Sequence, residues 1–564
     1  MRCLHYFTLL FLLSTAVYSA AAQVKAPLTP AAEPFLIGTG STFTASGGTK
    51  KVSNTAVRSI ANDIREAERI ILANHFDAEG TKPGKITKSA LEAMLHSLDP
   101  HSNYHDPVEW KELLDEQNSG YTGIGATIGE FDSGSGPETH VLSAAPRSAA
   151  AKARLRFGDR IISIGGRGIS GIGLAAVRDL LRGDAGTTLE IVVERSASLK
   201  TETLVLQRTV ISQPSIPAAF ILQPGVGYID LTEGFNYSTS DEFDRAMRDL
   251  KRQGMKSLIL DLRWNGGGIL EQAVKIAEKF LPAGTQILSQ RGRFAGDTRS
   301  YYSANAAPET MPLVVLVNSR TASASEIVAG AFQDCDRALI VGEKSYGKGL
   351  VQTVINLPGG AGLTLTTGRY LTPAGRSIQR DYSSVDLYDY YNQTARSSGI
   401  DKAYYEARTV TDRPVYGGDG IKPDDETQPH KMSALQASLI DPIFNFSKEL
   451  TNGRIVGQES HRDPQKAQKN KILSDSAADT EDLLSWFLEY LSSQTRYRLR
   501  KNDILSETKF IRSQLRYYLV MASHGTVAAN HVLTETDPQV AHAIETLPRA
   551  AQLSRLAARF RSSK

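Results

Sequence analysis

Cysteine is nearly absent. The 564 residues hold two, Cys3 and Cys335, too few for a disulfide framework. Charge of one sign is also missing. Lys and Arg number 64 against 61 Asp and Glu, leaving +3, so nothing global points to nucleic acid or an acidic polymer as partner. Two local basic runs, Arg496 to Lys501 and Arg555 to Lys564, read as solvated helix faces. The apolar stretch Tyr6 to Leu13 is shorter than the roughly 20 residues that span a bilayer. With Arg2 before it and small residues from Ser19 to Ala22 after it, it reads as a secretory signal over residues 1–22. Cys3 then leaves with the signal, and Cys335 is expected in the core. What remains is an ordinary globular composition, 41% hydrophobic and 22% charged, long enough for three or four domains.

Residues 23–52 are rich in Pro, Ala, Gly, Ser and Thr and read as a flexible leader. From Ser53, a potential cap, Val57, Ile60, Ile64, Ala67 and Ile71 follow helical spacing, and a second helix is expected around Ala90 to Leu98. His101 and His105 stand four apart, but Pro100 and Pro107 bracket them in a turn, which argues against a metal pair.

The most informative segments are TASASEIVAGAF (Thr321 to Phe332) and EKSYGKGLVQ (Glu343 to Gln352). In the first, Ile327, Val328, Ala331 and Phe332 mark one apolar helix face, which puts Ser323 at a helix N-terminus. There free amides can hold a developing oxyanion, Ala324 N–H first. In the second, Lys348 has no acid within three residues, as an amine must if it is to lose its charge by dehydration. Gln352 could hold that amine through its carbonyl oxygen, provided the segment is coiled or helical. A straight strand would carry it about 13 Å away. The plain alternative is a capping box, in which Ser323 satisfies orphan amides and Glu326 reaches back. Ser325 is a rival nucleophile and Thr321 a lesser one.

TASASEI, ALIVGEKSYGKGLVQ, TTGRYLTPAGRSIQ (Thr366 to Gln379) and GGDGIKPD (Gly417 to Asp424), in that order, resemble the carboxy-terminal processing peptidases, the tail-specific serine proteases. Ser323 lies 25 residues before Lys348 and Gln352 four after it, the spacing of that family's catalytic residues. The resemblance therefore implies Ser323 as nucleophile, Lys348 as general base and Gln352 as the residue that orients it, with Ser325 a bystander. It also implies that the glycine turn in SLILDLRWNGGGILEQAVKIAEKF (Ser257 to Phe280) supplies a second oxyanion donor at Gly267, with Gly268 the alternative. Positive φ alone would also explain those glycines. Trp264 departs from the family's small or polar residue and either narrows a subsite or packs on the core. LDPHSNYHDPVEW (Leu98 to Trp110) matches the family's N-terminal region, which in some members serves assembly.

Upstream, YTGIGATIGEF (Tyr121 to Phe131), GDRI (Gly158 to Ile161) and RGDAGT (Arg182 to Thr187) resemble a PDZ domain. Gly123, Ile124, Gly125 and Ala126 would form its carboxylate-binding loop. Arg154, Phe157, Ala149 and Gly165 depart from the usual Gly, Pro, Pro and Asn. Replacing a left-handed glycine costs about 1 kcal/mol, so the loop before Gly158 is expected to change shape.

The resulting expectation is a multidomain α/β protein: a crotonase-like or ClpP-like β/α protease core (209–432), an inserted antiparallel-β PDZ domain (119–208), and helical segments at 53–118 and 433–564. Its substrates would be C-terminal tails of exported proteins, most naturally in a bacterial periplasm. No cofactor, metal, nucleic acid or integral membrane span is implied, and a second copy or an adaptor protein stays open as partner. A catalytically silent PDZ scaffold and a non-peptidase hydrolase on the same core are the rivals.

Overall fold

Four short apolar runs set the centre of the molecule. Val226–Asp230, Ser257–Asp261, Leu313–Val317 and Leu339–Gly342 form adjacent parallel strands, almost wholly buried, as strands must be when both faces of a sheet are covered. Ala218–Gln223 adds an antiparallel edge and Asp425–Glu426 a parallel one. The computed structural model describes residues 54–76, 83–134, 136–383, 390–391, 406–456, 477–494, 496–497 and 499–562. The expected signal, leader and Ser53 cap lie outside them.

One face of this sheet is covered by the helices Thr239–Arg252, Leu270–Glu278 and Ala324–Asp334, which share a core with Leu258, Leu260, Val315 and Ile340. The other face takes the last helix, Pro538–Ser562, through Val540, Ala543, Leu547 and Ala550 against Val314, Leu316 and Val341. A second, antiparallel sheet lies beside it. There Gly362–Leu371 pairs with Leu350–Asn356, Gln286–Gly292 and the short N-terminal strand Asn103–His105. The N-terminal region contributes the helices Asn54–Asn74, Pro83–His96 and Pro107–Gln117. The last of these, absent from the sequence reading, is capped by Asp106, which accepts from Val108 and Glu109 N–H at 3.0 Å.

The upstream module is a five-strand antiparallel meander, Ala126–Asp132, Pro137–Ala144, Arg160–Ile164, Thr188–Glu194 and Thr201–Gln207, with the helix Leu174–Leu181 over it. Gly120–Gly123 pairs with Thr209–Ser212, tying entry to exit. In the loop before Gly158 a non-glycine residue does stand in the left-handed region. Arg154 keeps the left-handed conformation at φ 55°, and Arg195 fastens the turn by donating to the Arg154 and Ala153 carbonyls at 2.9 and 3.0 Å. Side-chain hydrogen bonds offset the strain that glycine would have avoided.

Phe157 has a different use. It joins Phe131 and Leu142 in a core shared with the C-terminal helices Ala434–Thr451, Ala477–Ser493 and Thr508–His524. Phe131 stacks on Phe444 with centroids 3.6 Å apart, and Phe157 meets the same ring at 5.4 Å. Neither basic run is merely a solvated face: Arg496 donates to the Ser133 carbonyl, and Arg561 donates to the Cys335 carbonyl at 2.9 Å. Cys335 is buried beside the sheet, and burial pushes its thiol up to about 12.

Candidate active site

Thr321 and Ser323, in the loop that leads from the strand Leu313–Val317, and Ser325, in the first turn of the helix Ala324–Asp334, are the three candidate hydroxyls, and two of them are spent on structure. Thr321 donates to the Leu262 carbonyl at 2.8 Å, and Ser325 to the Asn265 carbonyl at 3.0 Å. Ser323 is half-buried, at φ 57° and ψ −117°, and its side chain caps nothing. Such a conformation costs energy in a non-glycine residue and persists only where its surroundings impose it. The capping-box arrangement is there, with Glu326 accepting from Ser323 N–H at 2.9 Å, and the amide of Glu326 also meets the Ser323 carbonyl at 2.9 Å. Among the described residues the Ser323 hydroxyl donates to no group, which leaves its proton available for chemistry.

Glu326 does more than cap. It is fully buried, and besides Ser323 N–H its carboxylate accepts from Lys348 N–H and Gly347 N–H, both at 2.8 Å, and from Ser345 Oγ. Burial outweighs these donors and raises its pKa to about 7. Tyr370 makes a second tie: its hydroxyl lies 2.7 Å from the Lys348 carbonyl oxygen and 3.0 Å from that of Ser323. Two buried side chains thus hold the backbone of the serine turn against the backbone of the lysine loop. Neither role was legible from the sequence, where Glu326 figured only as a helix cap and Tyr370 only as part of a motif.

Lys348 lies in coil just before the strand Leu350–Asn356. Removal from water lowers its pKa from the ordinary value, against the opposing pull of Glu326 and Asp99. Its amine makes no hydrogen bond to Ser323 Oγ. Gln352 departs from expectation. It stands on the strand itself, at a bulge after Val351, and its Nε2 donates to Thr366 Oγ1 at 3.3 Å rather than any group of it holding Lys348. The coiled segment the sequence reading required ends at Gly349, because the Gly362–Leu371 strand recruits the residues after it.

The glycine turn packs directly on the serine. A Cβ on Gly267, at φ 99°, would fall 2.7 Å from Ser323 Cβ and 2.9 Å from Ala324 N. The Gly267 amide is engaged, however, donating to Asn265 Oδ1 at 2.9 Å. The amides of Gly268 and Ala324 have no acceptor among the described residues. Trp264 is 39% exposed and at φ 66°, so it does not pack in the core. Its neighbour Arg263 is half-buried, held by Asp261 and by Asp537 and Gln539 at the start of the last helix. His101 and His105 do not share a site: the first pairs with Tyr390 OH at 2.8 Å, the second with Thr364 Oγ1 at 3.3 Å.

In the upstream module, Ala126–Asp132 is the edge strand and the helix Leu174–Leu181 lies beside it, the layout for adding a peptide strand. At its head the Gly123–Ala126 loop has its carbonyls tied down: Ile124 O accepts from Ala150 N–H at 2.9 Å and Gly125 O from Ala145 N–H at 2.8 Å. The Ile124 and Gly125 amides have no acceptor among the described residues. Gly125 is required here, since a Cβ would fall 2.4 Å from that of Ser148.

Peptidase family S41 matches residues 225–387 and the PDZ domain matches residues 140–195. The chloroplastic C-terminal processing peptidase of Tetradesmus obliquus is 37% identical over 317 residues, covering 53% of this chain and 67% of that protein. A carboxy-terminal-processing protease of Bartonella bacilliformis is 36% identical over 300 residues, covering 52% of this chain and 67% of its own length. Among solved structures, a photosystem II D1 C-terminal processing protease shares 31% identity, with 64% of this chain and 92% of that chain covered and a TM-score of 0.32. The chain belongs to the C-terminal processing peptidases, serine proteases of peptidase family S41 that carry a PDZ domain.

Proposed function

We propose that this protein is an exported endopeptidase that takes protein C-terminal tails into its PDZ groove and cuts them through an acyl-enzyme, on a crotonase-like core. Neutral Lys348 accepts the Ser323 proton as Oγ attacks the scissile carbonyl, then returns it to the leaving amine. The Lys348 amine next takes a proton from water as the water oxygen attacks the acyl carbonyl, and gives it to Ser323 Oγ as the acyl group leaves. The Ala324 amide is one oxyanion donor, and Gly268, whose amide is uncommitted, takes the second place in preference to Gly267. The tail's carboxylate meets the Ile124 and Gly125 amides of the Gly123–Ala126 loop.

One observation carries this reading: a serine whose hydroxyl donates to no described residue and a half-buried lysine are tied together, backbone to backbone, by the same buried carboxylate. The absence of a Ser323–Lys348 hydrogen bond fits a resting form, which closes when substrate binds. The N-terminal signal supports export, with the periplasm as destination. No described helix is long and apolar enough to cross a membrane. The decisive experiment compares cleavage of a tail-bearing protein by the wild type with Ser323→Ala and Lys348→Ala. Both variants should lose cleavage entirely while still binding a tail peptide. Undiminished turnover in either would refute the assignment.

A further inference from the structure

The Asp99-Pro100-His101-Ser102 turn, a motif the proposed chemistry leaves unused, reaches the active site from the N-terminal region. Asp99 is buried and its carboxylate is crowded with donors. Oδ1 accepts from His101 N–H at 2.8 Å, Ser102 N–H at 2.9 Å and Thr366 Oγ1 at 3.0 Å, and Oδ2 accepts from Ser102 Oγ at 2.7 Å. Ser102 Oγ in turn accepts from Thr366 N–H at 3.0 Å. The turn is therefore locked to the strand Gly362–Leu371 at Thr366, by backbone and side chain together.

Thr366 has one hydroxyl proton. A carboxylate only accepts, so that proton goes to Asp99, and Thr366 Oγ1 can only accept from its other neighbour. That neighbour is Gln352, 3.3 Å away. Its NH2 end must therefore face Thr366, which leaves Oε1 on the opposite side. The polarity of the chain, Asp99 to Thr366 to Gln352, is set by the one group in it that cannot donate. Lys348 lies close to this cluster: it stands two residues ahead of the strand on which Gln352 pairs with Thr366, and the ring of Tyr346, two residues before it, is 6.4 Å from that of His101.

We propose that Asp99 and Thr366 are positioning residues for the base, fixing the Gln352 amide so that, when the resting site closes, its carbonyl oxygen, and not its NH2, meets the Lys348 amine. The inference rests on the reading of Lys348 as general base and Gln352 as its orienter. With Oε1 presented, Lys348 donates one N–H to Gln352 and keeps its lone pair for the Ser323 proton. With the amide reversed, the NH2 would donate into that lone pair or repel the ammonium form, and the base would be blocked.

The test uses the full chain and a tail-peptide substrate, with Thr366→Val, Thr366→Ser and each in a Gln352→Ala background. Thr366→Val should lower kcat about tenfold with KM unchanged and move the rising limb of the pH–rate profile to lower pH, since a freed amide no longer supports the ammonium form. Thr366→Ser should restore both. In the Gln352→Ala background, Thr366→Val should change nothing further. Thr366→Ala replaces the valine variant, with the same expectations, should the latter not fold. Wild-type turnover in Thr366→Val, a loss with an unmoved limb, or an additive loss in the Gln352→Ala background would overturn the proposal. The base assignment itself stands or falls separately, on whether Lys348→Ala still cleaves.

Discussion

Gly267 shows how little room surrounds the reacting hydroxyl. Alanine there would place a methyl against Ser323 Cβ, the Ala322 carbonyl and the Ala324 amide, all within 2.9 Å, at a φ of 99°. We expect Gly267→Ala to displace the serine turn and lower kcat by about a hundredfold or more, the scale of losing an oxyanion donor, as read by tail-peptide turnover. The titration of Lys348 gives a second expectation. Dehydration lowers its folded pKa below 10.5, and the neutral form is the base, so activity rises with pH through a midpoint below 10.5. Glu326, at about 7, acts in the same direction, because its ionised form is the one that accepts four donors. Both losses therefore lie toward acid, and a kcat/KM profile that fell between pH 6 and 9 would contradict them. Ser323, Lys348 and the glycine turn stood out in the sequence because motif order and spacing single them out. The acceptor that occupies the Gly267 amide did not, since Asn265 lies two residues away and looks like any turn asparagine.

At the scale of elements, the serine helix and the lysine loop are joined through Glu326 and Tyr370 rather than through the reacting side chains. Tyr370→Phe removes a donor from both the Ser323 and Lys348 carbonyls and keeps the ring. It should cost about 1 kcal/mol, seen as roughly a fivefold loss of kcat with little change in KM. The four central strands are legible in the sequence, because each is a short continuous apolar run closed by a polar or glycine residue. Gln352 was not. Its strand is made by pairing with Gly362–Leu371, and nothing in the local pattern of LVQTVIN announces a partner ten residues later. The helix Pro107–Gln117 was missed for a different reason: its Asp-Pro-Val-Glu cap was read as part of a turn.

Across the whole molecule, the PDZ domain and the C-terminal helices share one core, with Phe444 between Phe131 and Phe157. Truncation of a buried phenylalanine costs about 3 to 5 kcal/mol. Phe444→Ala should therefore quicken hydrogen exchange in the strand Ala126–Asp132 and the helix Thr508–His524, and leave the strand Leu313–Val317 protected. Phe157 appeared in the sequence as a departure from a familiar proline, with no hint of its purpose, because the residues it meets are almost 300 positions away. The C-terminal helical segment, 433–564, touches both the PDZ domain and the central sheet.

The last helix also bears on Cys335, whose carbonyl Arg561 holds while the thiol lies 2% exposed. That sulfur is shut away beneath the sheet's helices, so an alkylating reagent can reach it only when the packing opens. Its rate of modification is consequently a clock for breathing of the core, one that nature has installed without any engineered label.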